Sequence, residues 1–289
     1  MTPSAEHQRL LRLATRASLT VACVLVISKA LAWWFSDSVS LLAGLTDSAL
    51  DAVASLLNLL AVQYALRPAD DDHRYGHGKA EALAGMAQAL FIGASAVIIA
   101  VQAVERLQAP APLGNTAAGI GVMLLSLVLT VGLLAFQRKV VRVTGSTAIR
   151  ADSLHYRSDL LLNGSILVAL VLARFGWPQL DALFGLGIAV YIFWSAVQIA
   201  RESGGILMDK ELPSEVSEEM RALVCGLPGV VGAHDLRTRV SGPRWFVQVH
   251  LELPGALPLH EAHALCVEAS ARIRERYPQA DVMVHADPV

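Results

Sequence analysis

The sequence predicts an all-α six-helix transmembrane domain in residues 1–208, followed by a small α+β cytoplasmic domain in residues 209–289. The first observation is composition: 54% of the 289 residues are apolar and only 17% are charged, whereas soluble domains are near 25% charged. The second is an uneven distribution, with 28 charged residues in positions 1–208 and 20 in positions 209–289. The third is a series of six apolar segments, each close to the length that a membrane helix needs.

We predict one transmembrane helix in each apolar segment. The segments cover residues 17–36, 38–66, 82–104, 113–137, 146–173 and 182–200. The third, fourth and sixth contain no charged residue. The fifth is apolar in its second half, but its first half contains Asp152, His155, Arg157 and Asp159.

Basic residues in the loops predict the orientation of these helices. Eleven Lys and Arg residues fall in the N-terminal segment, the second and fourth loops and the segment after the last helix, whereas the opposite side has only Arg106 and Arg174. Because cytoplasmic loops contain an excess of Lys and Arg, both termini are predicted to be cytoplasmic. An even number of spans agrees with this arrangement.

The pattern after residue 208 changes to that of a small mixed domain. We predict helices over 213–225 and 259–277, the first capped by Ser214. Alternating residues predict strands over 230–240 and 245–253 with a turn at 241–243, and a last strand over 281–286. The net charge of −2 gives no basis for nucleic-acid binding.

Two pairs of metal-ligating residues lie within the apolar segments. Asp47 and Asp51 are four residues apart, as are His155 and Asp159, so each pair projects from one face of a helix. Charged residues at the centre of a bilayer are costly, about 2.5–3.5 kcal/mol on insertion scales, and a bound cation offsets this cost. Three carboxylates and one imidazole suit a divalent metal, with Zn²⁺ the first candidate. The alternative is a carboxylate paired with Lys29 or Arg157 in a hydrated crevice.

Two further regions contain metal-ligating residues. Asp70, His73 and His77 share a face if the 70–79 loop is helical, and they could then bind a second metal; a solvated loop is the alternative. Five histidines fall in the 81-residue C-terminal segment, which favours another metal site there, although spacing alone does not show which residues share it. These histidines are His234, His250, His260, His263 and His285.

The chain resembles the cation diffusion facilitators, and within them the bacterial ferrous-iron and zinc efflux proteins. The matching motifs are the Asp47/Asp51 pair, the His155/Asp159 pair and the loop motif that runs from Asp70 to Glu81. The six spans and the α+β tail match as well. The resemblance implies a transport site at Asp47, Asp51, His155 and Asp159, a loop site at Asp70, His73 and His77, and a two-metal tail site at His234, His250, His263, His285 and Asp287.

The resemblance further implies a homodimeric Zn²⁺/H⁺ antiporter of the bacterial inner membrane. Asp287 would bridge the tail metals, His260 would bind none, and Lys79 and Asp209 would join the two domains across the dimer. Zn²⁺ would be both cargo and structural ion, with Fe²⁺ or Cd²⁺ as alternative main substrates. The residues also leave open a membrane metal sensor, a passive channel and an intramembrane metalloenzyme; the last is disfavoured because the chain has no HExxH motif.

Overall fold

A computed structural model describes residues 5–36, 39–108, 117–173 and 180–289. The chain divides into two compact units. Of the described residues, those within 6–67 and 80–204 form a helical unit, and residue 5 with 68–79 and 205–289 forms the other. The loop after the second helix therefore groups with the C-terminal residues, although the sequence predicts it as part of the first domain.

Six long helices form the first part of the chain. They are α1 (Ala5–Ser36), α2 (Val39–Ala65), α3 (Lys79–Gln108), α4 (Ala117–Thr144), α5 (Thr147–Ala173) and α6 (Leu180–Leu207). Several extend beyond the predicted apolar segments, because polar and basic residues continue the helix at its end. Arg174, used above to predict orientation, lies outside the described residues.

Five of these helices are long and apolar enough to cross a membrane, in agreement with a multi-pass protein. The five windows are Glu6–Phe35, Gly44–Ala65, Lys79–Glu105, Gly121–Thr144 and Leu183–Leu207. The predicted six spans are therefore supported for five. The sixth span, in α5, stays a prediction, because the apolar second half of this helix lies largely outside the described side chains.

The helical unit is apolar on the outside and partly polar within. Leu90 and Val128 are 65% and 69% exposed, whereas Ser18, Asp152 and Gln137 are fully buried between helices. A water-soluble bundle would show the opposite distribution, because apolar side chains gain by leaving water. The outward-facing apolar side chains are those expected to contact lipid.

The C-terminal unit is a three-stranded sheet with two helices. Its elements are α7 (Ser214–Cys225), β1 (Gly232–Ser241), β2 (Arg244–Leu253), α8 (Leu259–Arg276) and β3 (Ala280–Pro288). The order is β1-β2-β3, with β1 antiparallel and β3 parallel to β2. All five elements were predicted to within two residues at each end. The predicted N-cap of the first helix was wrong by one residue. Pro213, and not Ser214, precedes α7, and the Pro213 carbonyl accepts hydrogen bonds from the first helical amides.

One face of this sheet is covered by the two helices. Alternate residues of β2, including Val247 and Leu251, are buried with Met220 of α7 and Ile273 of α8 in a single core. Because successive strand residues point to opposite faces, the other residues of β2, including His250, point away from the helices. That second face is where the metal-ligating residues of the tail lie.

Candidate metal centres

The first group of metal-ligating side chains lies between α2 and α5. His155 Nε2 is 2.8 Å from Asp51 Oδ1 and 3.8 Å from Asp159 Oδ2, and one ligand atom from each residue lies within 4.8 Å of the other two. We call Asp51, His155 and Asp159 the membrane cluster. Its imidazole is 10% exposed and its carboxylates are 22% and 32% exposed. One nitrogen and two oxygens converging in this way suit a Zn²⁺-like cation, with room for a further ligand.

Asp47 lies outside the membrane cluster. Its side chain is exposed, although its carboxylate interacts electrostatically with that of Asp51 one turn away. The alternative pairing of these carboxylates with Lys29 or Arg157 is not favoured by the contacts observed. Lys29 Nζ donates to the Gly44 carbonyl (3.1 Å) and the Ser48 hydroxyl (2.6 Å), and Arg157 donates to the Tyr191 hydroxyl.

The second group, the loop cluster, consists of Asp70, His73 and His77. Asp70 Oδ1 is 3.1 Å from His73 Nδ1, and its Oδ2 is 3.3 Å from His77 Nε2. The helical turn that would place these residues on one face does not form. Instead the His73 amide donates to Asp70 Oδ1 at 2.7 Å, and a turn at Gly76, with φ of 79°, brings the rings together with centroids 4.5 Å apart. The three residues converge as predicted, by a different backbone conformation.

Charge also favours a cation at the loop cluster. The pKa of Asp70 is lowered, first by the hydrogen bond from the His73 amide and further by the two neighbouring imidazoles. The carboxylate is therefore ionised at neutral pH. His77 is buried while Asp70 and His73 are exposed, so a metal bound here would be reached from the open side of the loop.

The loop is held within its unit by packing near its end. Lys79 Nζ lies 2.9 Å from Asp209 Oδ1, and Arg239 lies over the Tyr75 ring at 4.6 Å. Lys79 and Asp209 contact each other within the single chain described, and their role across a dimer, which the resemblance implies, stays a prediction. The pKa of Asp209 is lowered, because hydrogen bonds from Lys79 and Arg239 outweigh the opposing effect of partial burial.

The third group forms because three histidines lie side by side across the sheet. His234 of β1 pairs with His250 of β2, and His250 pairs with His285 of β3. The ring centroids are 5.4 Å apart in the first pair and 4.7 Å in the second. His234, His250 and Asp287 each place a ligand atom within 4.8 Å of the others; we call them the sheet cluster.

Asp287 is placed to serve more than one ion. Its Oδ2 lies 2.8 Å from His250 Nδ1 and 3.2 Å from His234 Nε2, while its Oδ1 lies 2.8 Å from His285 Nδ1. Its pKa is lowered, first by the His250 hydrogen bond and then by the charge of the neighbouring rings. A carboxylate with imidazoles at both oxygens fits the bridging role that the resemblance implies, and the donor set fits Zn²⁺.

Two acidic residues beside the sheet cluster were missed in the sequence. Glu252 Oε1 lies 3.1 Å from His234 Nδ1, and Asp235 Oδ2 lies 3.8 Å from His250 Nε2. Glu252 follows His250 by two residues, so both face the same side of β2, and this spacing could have indicated Glu252. Asp235 lies at an irregularity between His234 and Arg237, with φ of 46°, and no periodic signal indicates it.

Two other histidines of the tail lie apart from this group. His263 is exposed on α8 and belongs to none of the three clusters found among the described residues. His260 is exposed, with Nε2 3.8 Å from Glu261 Oε1.

Comparison with known proteins relates this architecture to cation efflux. Residues 15–208 match the model of the cation efflux transmembrane domain, and residues 212–289 match that of the cation efflux protein, cytoplasmic domain. The chain is 49% identical over 282 residues to the cation-efflux pump FieF of Citrobacter koseri, and 48% identical over 282 residues to that of Salmonella agona strain SL483. Each alignment covers 98% of this chain and 94% of the relative.

Two solved structures each match about a quarter of the chain. A chain of CzrB is 35% identical, and the match covers 27% of this chain and 98% of that one, with a TM-score of 0.26. The metal-bound C-terminal domain of the CzcD transporter from Thermotoga maritima is 25% identical, and the match covers 26% of this chain and 87% of that one, with a TM-score of 0.25.

Proposed function

This chain belongs to the cation diffusion facilitator family of membrane transporters, and we propose that it exports Zn²⁺ in exchange for protons. It is a divalent metal efflux transporter and not an enzyme. The proposal adds the preferred ion, the coupling and the site. It also includes six spans, both termini in the cytoplasm, the bacterial inner membrane and a homodimer, with residues 1–208 as the transmembrane domain and residues 209–289 as the cytoplasmic one.

The observation that supports this function is the membrane cluster. His155 and two carboxylates converge between two helices of an apolar bundle, where unpaired charges are costly. A cation that binds these groups offsets that cost, and the position between two helices limits its contact with bulk water. We propose that Asp47, one turn before Asp51 on α2, becomes the fourth ligand when α2 and α5 shift relative to each other.

Proton exchange follows from the chemistry of the same ligands. A metal binds imidazole and carboxylate only in their deprotonated forms, so protons and Zn²⁺ compete for the same atoms. Protons that reach His155 or the carboxylates from the outer side would displace the metal there. A lower outside pH would then favour release, and the protonated site would return inward.

The loop cluster and the sheet cluster are proposed as resident metal sites. Both contain imidazoles and an ionised carboxylate, which fits Zn²⁺. In the tail, we propose that His263 joins His234, His250, His285 and Asp287 when the dimer forms. A metal that stays bound there would link the strands and the helix that carry these ligands.

The direct test is ion flux in proteoliposomes under an imposed pH difference. We expect Zn²⁺ to move against an opposing proton flow, and the flux to fall when a protonophore removes the gradient. Parallel measurements with Cd²⁺ and Fe²⁺ determine the preferred ion. Metal binding without flux would indicate a sensor, and flux that ignores the pH difference would indicate a channel.

A further inference from the structure

A second contact between α2 and α5 lies one turn from the membrane cluster. Ser55 Oγ and Tyr156 Oη are 3.0 Å apart, and Tyr156 donates to the Ser18 carbonyl on α1 at 3.0 Å. Tyr156 has a single hydroxyl proton, so Ser55 is the donor in the first bond. We call this chain of hydrogen bonds, from Ser55 through Tyr156 to Ser18, the hydroxyl rung.

The hydroxyl rung joins the same two helices as the contact that forms the membrane cluster. Ser55 follows Asp51 by four residues, so both project from the same face of α2. Tyr156 follows His155 directly on α5, and the two rings meet edge to face with centroids 5.6 Å apart. The two helices are thus joined by Asp51 to His155 and by Ser55 to Tyr156. Two contacts that are one turn apart on α2, and that come from consecutive residues of α5, constrain both the spacing and the rotation of one helix against the other.

Further hydrogen bonds hold α5 in place next to Tyr156. Asp152, one turn before Tyr156, accepts hydrogen bonds at Oδ2 from Ser18 Oγ (2.5 Å) and Gln137 Nε2 (2.7 Å). Ser18 therefore bonds to two successive turns of α5, through its hydroxyl and through its carbonyl. Residues 152 and 156 form a stripe next to that of His155 and Asp159, so fixing the first stripe orients the second.

Because these groups are buried, losing one of their hydrogen bonds has a large free-energy cost. Ser18, Ser55 and Tyr156 are each 1% exposed, so water cannot replace a lost partner. A buried polar group left without its partner costs more than the bond itself contributes. The rung is therefore a strong constraint on how far α2 can move from α5.

We propose that the hydroxyl rung of Ser55, Tyr156 and Ser18 sets the separation of α2 and α5, and through it the size of cation that the membrane cluster accepts. This inference rests on the proposed transport function. Tyr156 and Ser55 act as positioning residues, since they act on the ion only through Asp51 and His155. Without the rung the helices can separate, and the site favours the larger Cd²⁺ over Zn²⁺.

The test compares kcat/KM for Zn²⁺ and Cd²⁺ in proteoliposomes containing Tyr156→Phe or Ser55→Ala. We expect the Zn²⁺/Cd²⁺ ratio to fall about three- to tenfold in each variant, the range that one net hydrogen bond provides. The double variant should be no worse than Tyr156→Phe alone, because that change already removes the contact with Ser55. Ser55→Thr retains a hydroxyl and should restore the original ratio.

The matched control is Ser158→Ala, which removes a buried α5 hydroxyl whose one hydrogen bond among the described residues is to Leu154 of the same helix. It should leave the ratio unchanged. An unchanged ratio in Tyr156→Phe and Ser55→Ala, or an equal change in Ser158→Ala, overturns the inference while leaving the transport function intact. If the parent protein moves no metal, the proposed function fails; the relative Zn²⁺ and Cd²⁺ affinities of the same variants, measured by equilibrium dialysis, then decide the inference alone.

Discussion

The membrane cluster and the sheet cluster combine imidazole and carboxylate ligands on scaffolds of different rigidity. In the membrane cluster, Asp51 and His155 come from separate helices that meet through side chains. In the sheet cluster, His234 and His250 lie on neighbouring strands joined by backbone hydrogen bonds in fixed register. Side-chain contacts between helices can rearrange while each helix stays intact, whereas strands cannot shift without breaking their ladder.

This difference suggests which site moves its ion and which retains it. A ligand set split between two helices loses its geometry when the helices shift, so binding and release can alternate. A ligand set on one sheet keeps its geometry, so it suits an ion that stays. Similar donors can thus serve transport in one place and stabilisation in another.

The largest effect is expected from Asp51→Asn, which keeps the shape of the side chain and removes its charge. Losing one ligand of the membrane cluster should lower Zn²⁺ flux by more than about 100-fold, since even the partners of metal ligands are worth 10–100-fold. Flux into proteoliposomes measures this, with Asp72→Asn in the exposed loop as control. Parent-like flux with an unchanged elution profile would remove Asp51 from the transport site.

A smaller effect on flux, but a clear one on stability, is expected from His285→Ala combined with Asp287→Ala. Zn²⁺ that binds only the folded protein raises Tm by mass action, and this variant should lose most of that rise while keeping flux within about threefold. The measurement is thermal unfolding of the full chain in detergent with and without Zn²⁺. His260→Ala, an exposed histidine outside the cluster, is the control. Equal Zn²⁺ shifts in all proteins would contradict a resident metal at the sheet.

The smallest effect is expected from the loop, where two neighbouring acids form a matched pair. Asp70 contacts both histidines, whereas Asp71 pairs with Arg74 at 2.9 Å. Asp70→Ala should reduce the number of Zn²⁺ ions bound per chain by one, and Asp71→Ala should not. Equilibrium dialysis provides the count. Flux should change by less than about twofold in either variant, and a larger loss in Asp70→Ala alone would give the loop a part in transport.

In the helical part, sequence periodicity predicts which residues share a helix face, but not which face meets another helix. The spacing of His155 and Asp159 predicts a shared face because helix geometry is nearly constant. The same spacing made Asp47 and Asp51 appear equivalent, yet only Asp51 lies in the cluster. Which part of α2 meets α5 depends on packing between helices distant in sequence, which no local pattern contains.

In the tail, the sequence predicts the secondary-structure elements but not the register between strands. Alternation and turn residues predict its strands and helices, because those signals are local. The alignment of His234, His250 and His285 depends on strand register, and β3 pairs with β2 only after an intervening helix. Glu252 and Asp235 join the site through that same register, so spacing along the chain alone could not assemble it.

The most direct test of the account is the pH dependence of Zn²⁺ affinity at the membrane cluster alone. The protein for this titration has the other ligands replaced by Ala: Asp70, His73, His77, His234, His250, His263, His285 and Asp287. Zn²⁺ binds the deprotonated ligands, so binding releases protons and acid opposes it. Apparent affinity should therefore fall as pH is lowered from about 7.5 to about 6, near the ordinary imidazole range. An affinity that stays constant over this range would contradict both the membrane cluster as a proton-exchange site and the antiport built on it.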